Sequence, residues 1–166
     1  MRKRRTALAL AGLGLLWLAG TGSPATGTGD DIRRTADLLL QGGSHGPDAT
    51  HEALRHLIDI AAGLGREARL PAPAQAKLDA AGAEARRLSP LDEAARAAVA
   101  EAYAALDPGR PFAFPKTVKS IEQAKAYGRG QVDRSLAALS AGRPQEAARE
   151  LVGFVLLVIT PMEKSQ

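Results

Sequence analysis

Apolar residues in this chain return every three to four positions, in stretches cut apart by proline and glycine, and that period commits the chain to helices. Leu54, Leu57, Ile58, Ala61, Gly65 and Ala68 keep to one face. Ala74, Leu78, Ala81, Ala85 and Leu88 do the same, as do Leu91, Ala95, Ala98, Ala102 and Leu106, with Val99 and Tyr103 flanking. A further stripe runs through Val118, Ile121, Ala124, Gly128, Val132, Leu136 and Leu139. Each such face needs another to bury it. Alanine, leucine, arginine and glutamate favour helix, and the β-branched and aromatic residues that suit a pleated sheet are sparse. The expected fold class is all-α: a small antiparallel helical bundle of about four main helices, following an N-terminal signal peptide.

The breaks delimit the elements. Asp30-Asp31 place negative charge where it would suit the start of a first, short helix, and Gly42-Gly43 end it. A second helix is expected from about Asp48 to Arg69, before Pro71 and Pro73. After the Ala74 seam, Ser89-Pro90-Leu91-Asp92 has the chemistry of a new start, with a capping hydroxyl and a proline at the first helical position. Asp107-Pro108-Gly109 closes that helix with turn residues. Residues 110–115, Arg-Pro-Phe-Ala-Phe-Pro, read as extended, because each proline restrains itself and its predecessor. The longest helix is expected over about Lys116 to Ala141. Gly142-Arg143-Pro144 makes a tight connection to a last helix that ends at Pro161.

The N-terminus has the order of a secretory signal. Arg2, Lys3, Arg4 and Arg5 are followed by an uncharged stretch from Thr6 to Gly20, then by small and turn-forming residues to Gly29. The apolar run falls short of the roughly 20 residues that span a bilayer. Cleavage is expected between Gly20 and Gly27, and Arg4-Arg5 makes the twin-arginine route the minority alternative to general export. Residues 1–26 therefore read as signal peptide, 27–47 as a short helix and flexible linker, and 48–166 as the helical bundle domain. The expected location is periplasmic or secreted, with membrane contact only through the signal segment if it stays uncleaved.

Charge and cysteine content remove several function classes. The net charge of +4 resides entirely in the four N-terminal cations, so the remainder carries as many cations as its 18 acids. A nucleic-acid binder needs a cationic surplus to displace counterions from phosphates, and no nucleic-acid partner is expected. With no cysteine, the chain cannot form disulfides, thiolate zinc sites or iron–sulfur clusters.

Candidate sites are few. Glu52, His56 and Asp59 share a helix face at ligand-compatible spacing, but that face lies opposite the apolar one. His51 borders the apolar face and His45 sits in the loop after Gly43. His45, His51 and His56 form the alternative metal set, for a divalent ion or, with Met162, haem. No nucleophile elbow or phosphate-binding glycine loop occurs, so no enzyme activity and no resident cofactor are expected. Two features exceed what a plain surface needs. Residues 151–159, Leu-Val-Gly-Phe-Val-Leu-Leu-Val-Ile, are apolar on every side of a helix, which fits either the centre of a core or a face meeting another chain. Phe112-Ala113-Phe114 lies between prolines, as a strap over the bundle end or as a rigid docking segment. Phe112, Phe114, Phe154 and Leu157 are the candidate partner-binding residues. The expected function is an exported binding or accessory protein acting through protein–protein contacts or self-association.

Overall fold

A computed structural model describes residues 24–41, 46–87 and 93–162, and these contain six helices and no strand. They are α1 (Pro24–Gln41), α2 (Pro47–Glu67), α3 (Ala72–Arg87), α4 (Glu93–Leu106), α5 (Ile121–Ser140) and α6 (Pro144–Ile159). The expected all-α class is observed. Most of the expected signal peptide, the loop bearing His45 and the Ser89-Pro90 start lie outside the described residues.

Cross-helix contacts fix the directions. Arg66–Asp79 and Arg86–Asp59 pair α2 and α3 in opposite senses. Tyr103 against Gly153 and Asp107 against Arg149 do so for α4 and α6. Gly128 against Phe154 and Ser135 against Ala147 do so for α5 and α6. With short connections between α1 and α2 and between α3 and α4, helices α2, α4 and α5 run one way and α1, α3 and α6 the other. Every major packing contact joins one helix of each set, so all are antiparallel.

These contacts close into two four-membered rings, α1-α2-α6-α5 and α2-α3-α4-α6, which share α2 and α6. This topology explains the uniform hydrophobicity of α6. Helix α6 packs against α2, α4 and α5, and residues Leu151 through Leu157 are buried without interruption. Phe154 is 0% exposed and Leu157 only 6%. The expectation that these two residues meet another chain is therefore corrected: both lie in the chain's own interior, against Gly128 of α5. Ile32, Ala36 and Leu40 of α1 join the common core.

The helix ends follow local chemistry. Helix α1 begins at Pro24, so Asp30-Asp31 lie inside it, not at its start. Helix α5 begins at Ile121, not Lys116. The hydroxyl of Ser120 accepts from Gln123 N, and Gln123 Oε1 accepts from Lys119 N, an exchange resembling a capping box. Ile121 consequently falls at the first helical position and is 63% exposed, outside the stripe to which its spacing had assigned it. The face of α5 that is buried comprises Gly128, Gln131, Val132, Ser135 and Ala138. Its polar Ser135 is accommodated because its hydroxyl donates to Ala147 O across the α5–α6 interface at 2.9 Å. Gly142 holds φ at 70° where α5 ends, and Arg143 N bonds Ala138 O in the six-to-one pattern that terminates helices.

Candidate functional site

Where α4 ends and α6 begins, the chain leaves an open cleft of about 800 Å³. Its wall includes Asp107, Arg110, Arg143, Glu146, Arg149 and Glu150. Two features of the sequence build it. Pro144 starts α6 at its first position directly after the Gly142 turn. Gln145 then donates through Nε2 to Leu106 O, tying the start of α6 to the last turn of α4. The arginines at 143 and 149 and the acid at 107 are thereby held along one rim.

Beside this cleft the chain keeps an unusual set of polar groups. The guanidinium of Arg149 lies over the Tyr103 ring, 4.9 Å from its centroid. Phe112 meets the same ring edge-on, with centroids 5.7 Å apart. Arg149 Nε is buried without a hydrogen bond, and Asp107 Oδ2 stands 3.7 Å away, beyond bonding distance. Gln131 Nε2 and Tyr103 Cε2 both approach the Cβ-less side of Gly153. Gln131 is 5% exposed and its Oε1 has no partner. Burial raises the Tyr103 phenol above its ordinary value of 10.0, while the positive charge of Arg149 acts against that rise. Unpaired polar atoms are exceptional inside proteins, and two of the five found among the described residues adjoin this one tyrosine.

The residues expected from sequence fall into three groups. Phe112 packs on Tyr103 at the edge of the core, and Phe114 is half-buried nearby in sequence. Phe154 and Leu157 are interior, as described above. Of the histidines, His56 is exposed and its Nε2 lies 2.7 Å from Asp31 Oδ2, which links α2 to α1. His51 is half-buried with Nδ1 unpartnered, and His45 lies outside the described residues. Asp59 is bound to Arg86 of α3 and Glu52 stands 3.8 Å from Arg55. No group of three His, Cys, Asp or Glu side chains suited to a metal ion occurs among the described residues. Tyr103, Gln131 and Arg149 were not singled out from sequence. One signal was available: Gln131 and Ser135 follow Gly128 at helical spacing, so polar side chains occupy the core-facing stripe of α5.

No described helix is long and apolar enough to cross a membrane. Comparison with known proteins finds no matching family model, and neither a curated protein nor a solved structure matches the chain.

Proposed function

We propose that this chain is an exported helical bundle, periplasmic or secreted, that acts as a binding or accessory protein and carries out no catalysis of its own. Its partner is another polypeptide, received at the cleft between the end of α4 and the start of α6. One observation supports this reading: the cleft is open, and Arg110 on its wall is exposed without an ion-pair partner among the described residues. A guanidinium free of internal partners can bond an incoming acceptor without first breaking an ion pair. Phe112, edge-on against the Tyr103 ring that Arg149 covers, braces the rim of the cleft. The Phe-Pro segment thus keeps the docking role suggested by its prolines, by supporting the cleft and not by presenting a bare apolar surface.

The test is site-specific photo-crosslinking in cells that export the full chain. A photoreactive residue in place of Glu146, on the cleft, should yield a defined adduct that Tyr103→Ala weakens. The same residue in place of Ala83, exposed on α3, should not. Equal adducts at both positions, or none at the cleft, would end this reading. An adduct with a second copy of the chain would establish self-association as the form the binding takes.

A second reading, a bundle binding divalent metal or haem, retains one observation in its favour. The half-buried His51 has an Nδ1 with no hydrogen-bond partner. Elemental analysis and a visible spectrum of untagged protein recovered from the export compartment decide it. Near-stoichiometric metal or a Soret band supports it, and colourless, metal-free protein removes it.

A further inference from the structure

We draw no further inference here: the strongest candidate, the surface patch of Ile121, Val158 and Met162 where α5 begins and α6 ends, beside the exposed Lys116 and Lys119, is an unpartnered apolar face, and nothing in the structure shows what covers it.

Discussion

Adding a single methyl group at Gly128 probes the burial of α6 more sharply than truncating any core side chain. An alanine Cβ there would stand 2.9 Å from Phe154 Cε2, 3.2 Å from Cδ2 and 3.4 Å from Leu157 Cδ2. Phe154 is 0% exposed, so its ring has no solvent into which to turn. Overpacking of this kind costs about 1–3 kcal/mol. Opposing it, alanine in a helix interior is favoured over glycine by about 1 kcal/mol. The expected balance for Gly128→Ala is a net loss of about 1 kcal/mol. In a Phe154→Leu background the ring edge is gone, and the leucine methyls can turn aside. There the propensity gain prevails, and the same substitution should be neutral or stabilising by up to about 1 kcal/mol. The coupling between the two sites is then about 1–2 kcal/mol. Urea unfolding followed by helical circular dichroism measures all four proteins, with the midpoint shifting and the m-value held. Additivity within about 0.5 kcal/mol, or a stabilised Gly128→Ala single variant, would refute the close approach of α5 to Phe154.

Three smaller predictions follow from the same contacts. Helix α2 ends with the bond pattern that Gly142 gives α5, Leu70 N to Gly65 O and Arg69 N to Arg66 O, yet its left-handed residue is Arg69, at φ 54°. Arg69→Gly should stabilise by roughly 0.5–1 kcal/mol, the left-handed strain relieved minus the added freedom of the unfolded chain, and a thermal melt that falls instead contradicts it. Gln131→Met removes an acceptor that is buried and unbonded, so stability should hold or rise by up to about 1 kcal/mol; a loss above that would mean the amide is bonded. Because the folded state holds the Tyr103 phenol above 10.0, its contribution to stability is complete below that pH and is lost as pH rises through the folded value. Ultraviolet titration at 295 nm should show one tyrosine titrating late, and Arg149→Gln should delay it further, since the arginine charge lowers that value.

How far the sequence discloses this fold depends on which neighbour determines each residue. The α3 seam of Ala74, Leu78, Ala81 and Ala85 is buried throughout, because a helix on the rim of one ring buries one stripe and shows it as plain periodicity. The stripe assigned to α5 held for Val118, Gly128 and Val132, which are buried, but not for Ile121. Ile121 became exposed once Ser120 and Gln123 moved the helix start, and Gln131 and Ser135 became buried because Ala147 O and Gly153 accommodate polar groups that periodicity alone would place in water. The cleft was less visible still. Arg149 and Asp107 lie 42 positions apart and are neighbours only because Gln145 fastens α6 to the end of α4. Either residue alone looks like one more charge on a solvated helix.

The apolar run of α6 has a further consequence for where binding can occur. Hydrophobicity on all sides can mean an interior or a surface awaiting a partner, and hydropathy cannot separate the two. The contact topology does: α6 serves both rings, and residues 151–157 of its apolar run are buried within the chain. Apolar residues that remain outside, such as Ile121 and Val158, are single side chains of the kind every folded protein exposes. In the proposed reading, recognition draws on polar groups held in place by the fold. At the cleft such groups are the exposed Arg110 and the guanidinium of Arg149, which the half-buried Tyr103 ring holds in place near the start of α6.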